Sequence, residues 1–174
     1  GILLCHPWFE EFKSQDVFVK DSKNPEQYAV GSWWGGPGAF WDFTKPAARE
    51  AWKKYVTESL VAVGTNSIWN DNCEYDSLLD KDVIVDFDGK GGTIAQLKPI
   101  MSTLMCKLSN DAVKEHDADM RPYSVCRSGS SGIQRYAQTW CGDNYTSWKS
   151  LKYNIPTITG MGLSGQPNEG ADIG

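Results

Sequence analysis

Histidine is scarce in this chain of 174 residues: only His6 and His116 occur. The five cysteines include no C-x-x-C pair. Both shortages argue against a Cys/His metal centre, which needs closely spaced soft ligands. Basic clusters are missing too. A net charge of −5 without any Lys/Arg block argues against nucleic acid, whose phosphates demand a basic patch. No run of 18 apolar residues exists, so no membrane-spanning helix is expected. Residues 1–5 are too short, and lack the basic start, for a secretory leader. Repeats and low-complexity segments are absent. The segment Asp86-Phe87-Asp88-Gly89 lacks the spaced ligands and closing Glu of a calcium loop. Residues 72–92 therefore read as a plain surface loop.

Aromatic residues are plentiful instead, with eight Trp and seven Tyr. Large rings ordinarily belong to a core. The other reading is a sugar site, because pyranose faces stack on aromatic rings. Trp33-Trp34 fits either one equally. Cys5, Cys126 and Cys141 sit in strand-like runs and Cys106 in a helical pattern. They read as buried reduced thiols, which lean towards a reducing, cytoplasm-like compartment. Cys73 has no His with a reason to sit beside it, so it is not a nucleophile candidate.

The spacing predicts an alternation of strands and crossovers. Residues 2–5 form an apolar run closed by His6-Pro7. A long irregular stretch, 8–41, follows, with a short excursion strand at 17–20. Thr44 with Pro46 is a helix start, and Ala48, Trp52, Val56 and Leu60 continue at helical spacing to Gly64. Residues 65–71 form the next strand. A second helix starts at Pro99, buries Ile100, Leu104, Leu108 and Ala112, and stops near His116. Further strands are expected at 120–127, 134–143 and 165–172, with a short helix at 146–153 that turns Trp148 and Leu151 inward. This order predicts a parallel α/β sheet or barrel. The last residue follows a strand directly, so an incomplete domain, cut at both ends, is expected.

Four apolar runs end in charge: Asp71, Arg127, Asp143 and Asp172. Any one such Asp is ordinarily a solvated or capping carboxylate. Their shared place at strand ends points to a site, because loops there carry the chemistry of α/β folds. Two carboxylates facing one substrate are what glycoside hydrolysis needs. One attacks or stabilises the anomeric carbon, and the other gives a proton to the leaving oxygen. Arg127 supplies either a counter-ion for the nucleophile or a donor to sugar hydroxyls.

These residues also carry a resemblance. Trp69-Asn70-Asp71-Asn72-Cys73-Glu74 resembles the W-x-D-M-N-E segment of glycoside hydrolase family 31, the α-glucosidase and α-xylosidase family. Arg121-Pro122-Tyr123 through Arg127-Ser128-Gly129 is similar to its RPF-x-x-x-RS strand. Trp140-Cys141-Gly142-Asp143-Asn144 resembles W-x-G-D-N. Leu163-Ser164-Gly165 and Gly170-Ala171-Asp172-Ile173-Gly174 resemble L-S-G and G-A-D-I-G-G-F. Asp42-Phe43-Thr44-Lys45-Pro46 matches D-F-T-N-P, with Lys45 in place of Asn. The matches follow the family's order and cover nearly the whole chain.

The resemblance implies part of a (β/α)8 TIM barrel, about strands three to seven, in one catalytic domain over 1–174. It implies a retaining α-glycosidase, most simply an α-glucosidase, with Asp71 as nucleophile and Asp143 as general acid/base. Trp69, Asn72, Arg127, Trp140 and Asp172 would bind the sugar of an α-linked oligosaccharide. No metal or organic cofactor is implied, and the rest of a longer polypeptide would complete the barrel. Asn72-Cys73 replaces the usual Met-Asn, and Asn168-Glu169 replaces small or apolar residues. Both changes lie near the pocket, so transglucosylating and α-N-acetylgalactosaminidase branches, or a binding-only relative, stay open. The sequon Asn144-Tyr145-Thr146 falls inside the expected site, and no glycan is expected there.

Overall fold

The computed structural model describes residues 1–172. Ile173 and Gly174, which close the Gly170–Gly174 motif, lie outside them. In chain order the elements are β1 (Ile2–Leu3), α1 (Phe9–Ser14), β2 (Val30–Trp33), β3 (Gly36–Ala39), α2 (Pro46–Ser59), β4 (Ser67–Asn70), β5 (Ile84–Val85), β6 (Gly92–Thr93), α3 (Ile94–His116), β7 (Tyr123–Cys126), β8 (Gln138–Trp140), α4 (Trp148–Leu163) and β9 (Glu169–Gly170). Strands β4, β7, β8 and β9 form one parallel sheet in that order. Helix α3 crosses from β4 to β7, and α4 crosses from β8 to β9. This is the repeating unit of a partial (β/α)8 barrel. All four parallel strands end at the same edge, where Asp71, Arg127, Asp143 and Asp172 follow.

The first strand forms but does not join that sheet. Ile2 and Leu3 pair antiparallel with Ala39 and Gly38 of β3, which itself pairs with β2. Gly38 permits this approach. A Cβ there would lie 2.9 Å from the Ile2 carbonyl oxygen and 2.5 Å from the Trp33 ring. The parallel sheet therefore has four strands among the described residues.

Helix α2 starts one residue later than Thr44 predicts: Lys45 takes the N-cap position and Pro46 is the first helical residue. Thr44 is engaged elsewhere. Its hydroxyl donates to Asp42 Oδ1 at 2.5 Å and accepts from the Phe87 amide at 2.8 Å. Asp42 also accepts from the amides of Thr44, at 3.0 Å, and Asp86, at 2.7 Å. These bonds fasten residues 72–92 to the body of the protein. That segment is no plain surface loop: it contains the β5–β6 hairpin and buries Cys73, Tyr75, Leu78, Val83 and Val85. Burial raises the pKa of the Asp42 carboxyl despite these donors. Asp42→Ala would leave buried amides without acceptors, at about 3 kcal/mol. Denaturant unfolding of the full-length protein and of the variant measures this, and a loss below about 1 kcal/mol would refute it.

Helix α3 begins at Ile94, not Pro99, because Gln96 turns back to accept the Thr93 amide at 3.1 Å. Pro99 lies inside the helix, where its missing N–H forfeits one bond. The buried face runs through Leu97, Met101, Met105, Leu108 and Ala112, while Ile100 is exposed. Before β8, residues 133–135 form a 3₁₀ turn rather than strand. Gly132 enters it at φ 111°, and Gln134 folds back onto the Gly132 amide at 2.7 Å.

Helix α4 is longer than expected and buries none of its residues. Ser147 caps it by accepting from the Ser150 amide at 3.0 Å. Trp148 and Leu151 point outward, against the expectation, because no described element covers that side. Cys5 is likewise exposed and Cys141 only half-buried, whereas Cys73, Cys106 and Cys126 are buried; all five are free thiols.

Candidate active site

Arg127 stands at the centre of the sheet's carboxyl edge, delivered by β7 between β4 and β8. Its Nη1 lies 3.2 Å from Asp71 Oδ1 and 3.9 Å from Asp143 Oδ2. One nitrogen thus lies within 4 Å of both carboxylates. The two oxygens can therefore be no more than about 7 Å apart. Strand pairing explains the convergence: Asn70 stands level with Cys126, so Asp71 and Arg127 leave the sheet side by side. Gly142, at φ 80°, turns the chain after β8 and lies so close to the Arg127 stem that a Cβ there would be 3.1 Å from its Cδ.

Asn72 adopts φ 51°, a left-handed conformation that Asn tolerates better than most residues. Its amide donates to Asp71 Oδ1 at 2.8 Å, and its side-chain oxygen accepts from Arg127 Nη2 at 2.8 Å. Trp69 and Trp140 meet edge to face across the sheet, with ring centroids 5.7 Å apart. A cavity of about 430 Å³ opens beside Trp69 and is lined by Leu3, Trp34, Trp69, Asp71 and Asn72. The Trp pair divides its roles. Trp33 stacks on Phe40, with centroids at 4.7 Å, while Trp34 is 97 % exposed. Asp172 follows β9 on the same edge but makes no ion pair with Arg127 among the described residues. It lines a second hollow with Tyr145 and Trp148.

Residues 5–174 match the family model described as the glycosyl hydrolases family 31 TIM-barrel domain. The chain belongs to glycoside hydrolase family 31. Alpha-glucosidase 2 of Bacillus thermoamyloliquefaciens is 34% identical over 174 residues, which cover 95% of this chain and 21% of that protein. The solved glucosidase II alpha subunit is 27% identical with a TM-score of 0.78, over 98% of this chain and 19% of its own. A Flavobacterium johnsoniae dextranase of the same family, 23% identical, shares the fold at a TM-score of 0.83 over 94% of this chain and 21% of its own. The chain spans about a fifth or less of the length of the curated relatives it matches.

Within this charged cluster one member, Glu74, was not foreseen from sequence. Glu74 grips Arg127 with both carboxylate oxygens, at 2.7 Å to Nε and 3.2 Å to Nη2. This two-point contact leaves Nη1 turned towards Asp71 and Asp143. Hydrogen bonding to Glu74, helped by the charges of Asp71 and Asp143, raises the guanidinium pKa against the effect of partial burial. Glu74 stood in the segment that carried the family resemblance. Only the chain's turn through Asn72 shows that it folds back onto Arg127. Glu74→Gln keeps one acceptor and loses the charge. It is expected to lower kcat/KM of the full-length protein by about 10- to 100-fold, with less than about 2 kcal/mol of stability lost. Steady-state kinetics beside denaturant unfolding tests this, and unchanged kinetics would refute the positioning role.

Proposed function

We propose that this chain carries the catalytic centre of a retaining α-glycosidase of α-glucosidase type, acting on α-linked oligosaccharides. The observation that carries the reading is one guanidinium nitrogen within 4.0 Å of two carboxylates from different strand ends. Asp71 attacks the anomeric carbon while Asp143 gives its proton to the departing glycosidic oxygen. Asp143 then takes a proton from water, whose oxygen displaces the Asp71 ester. Two inversions restore the starting α configuration. Arg127 and Asn72 hold Asp71 in line and reach towards sugar hydroxyls. Trp69, Trp140 and the exposed Trp34 offer apolar faces to pyranose rings, and Asp172 accepts from a hydroxyl on the far side.

The resemblance of the whole chain to one barrel domain supports treating 1–174 as part of a single catalytic domain. The short share of its relatives supports a longer polypeptide that completes the barrel. The test is a screen of the full-length protein on aryl α-glucoside, α-xyloside, α-galactoside and α-N-acetylgalactosaminide, with NMR reading the first anomer released. Release of α-glucose is the expected result. First release of the β-anomer would overturn the retaining mechanism, and no release from any substrate would overturn the hydrolase reading.

A further inference from the structure

Two buried thiols face each other directly behind the site. Cys73 Sγ and Cys126 Sγ are 3.2 Å apart, closer than neutral sulfur atoms need to be and short of a bond. Their places in the chain matter more than their distance. Cys73 sits two residues after Asp71 and immediately before Glu74, and Cys126 ends β7 immediately before Arg127. The pair therefore bridges the two segments that Glu74 and Arg127 bridge on the site side. A cavity of about 370 Å³ has Cys73, Glu74 and Ser128 in its wall, although Cys73 itself is almost fully buried.

We propose that Cys73 and Cys126 form an oxidation site, at which hydrogen peroxide closes a disulfide that disables the neighbouring catalytic cluster. One sulfur attacks a peroxide oxygen, the O–O bond breaks, and a sulfenic acid and one water result. The second thiol then displaces the sulfenic oxygen, forming the S–S bond and releasing a second water. Two thiols and one peroxide yield one disulfide and two waters. A disulfide holds its sulfurs at about 2.05 Å, so closure shortens the gap between the two sulfurs by more than an ångström and ties residues 73 and 126 into one covalent geometry. Glu74 and Arg127 are attached directly to the cross-linked residues, and their shared contact aims Arg127 at Asp71. Hydrogen bonding to Cys126 and burial raise the Cys73 pKa, and hydrogen bonding to Cys106 and burial push that of Cys126 up to about 12. Both thiols stay neutral at ordinary pH, so closure is slower than oxidation of exposed Cys5.

The effect on turnover rests on the glycosidase reading; the cross-link does not. Full-length protein is treated with peroxide, digested without reduction and examined by mass spectrometry, with turnover followed in parallel. The expected result is a peptide pair joined through Cys73 and Cys126, and a fall in turnover of about 100-fold that dithiothreitol reverses. Cys73→Ser should turn over normally before peroxide and keep its turnover afterwards. Recovery of both residues as free thiols after peroxide treatment continued long beyond complete oxidation of Cys5 would overturn the proposal. Pairing of Cys126 with Cys106, or a cross-link that leaves turnover unchanged, would overturn it equally. If reduced protein has no activity at all, the glycosidase reading fails and the mass of the peptide pair alone decides whether the site exists.

Discussion

Asp71→Asn in the full-length protein is expected to lower kcat by roughly four orders of magnitude while leaving the fold intact. An amide is a poor nucleophile, so the glycosyl ester cannot form. The substitution is nearly isosteric, and its contacts tolerate it. The Asn72 amide donates to Asp71 Oδ1 and can still donate to an amide oxygen, and Arg127 Nη1 stands 3.2 Å from the same oxygen without a hydrogen bond to lose. Arg127 keeps its two-point hold on Glu74, so no buried charge is stranded. The assay is single-turnover kinetics with an aryl α-glucoside carrying a good leaving group, beside denaturant unfolding. A variant that unfolds like the parent and reacts within about tenfold of it would remove Asp71 from the nucleophile role.

Asp143→Asn is expected to produce the second largest effect, and its diagnostic feature is rescue. Without the acid, substrates with poor leaving groups lose about 10²- to 10⁴-fold in rate. A good leaving group needs no proton, so the ester on Asp71 still forms and accumulates. Water then attacks slowly for want of a base. Azide needs no base and should restore turnover, yielding the α-glycosyl azide. Asp143 is 87 % exposed at the side chain, so a small anion can reach its place. The configuration of the azide separates the roles. An α-azide requires an intermediate on the other carboxylate, whereas a β-azide would make Asp143 the nucleophile. Absence of any rescue would remove it from the acid/base role.

The fold was legible wherever the local pattern and the burial agreed. The strands at 67–70, 123–126 and 138–140 and the crossover α3 follow from apolar runs and helical spacing. Legibility failed where side chains compete for backbone groups. Thr44 has the chemistry of a cap but binds Asp42 and Phe87, and Gln96 moves the start of α3 ahead of Pro99. It failed again at α4, whose apolar residues find no described partner. Burial belongs to pairs of elements, and one sequence segment does not reveal its neighbour.

The sequence by itself determined the family, the alternation of strands and helices, and the delivery of Asp71, Arg127, Asp143 and Asp172 to one edge. Period and order suffice for that, because successive parallel strands must present their ends together. Only the tertiary structure decided how the charges meet. Register sets Arg127 beside Asp71, the left-handed turn at Asn72 returns Glu74 to the guanidinium, and the same turn brings Cys73 against Cys126. Such contacts join residues more than 50 positions apart along the chain. They depend on backbone geometry at single residues, which composition and periodicity do not encode.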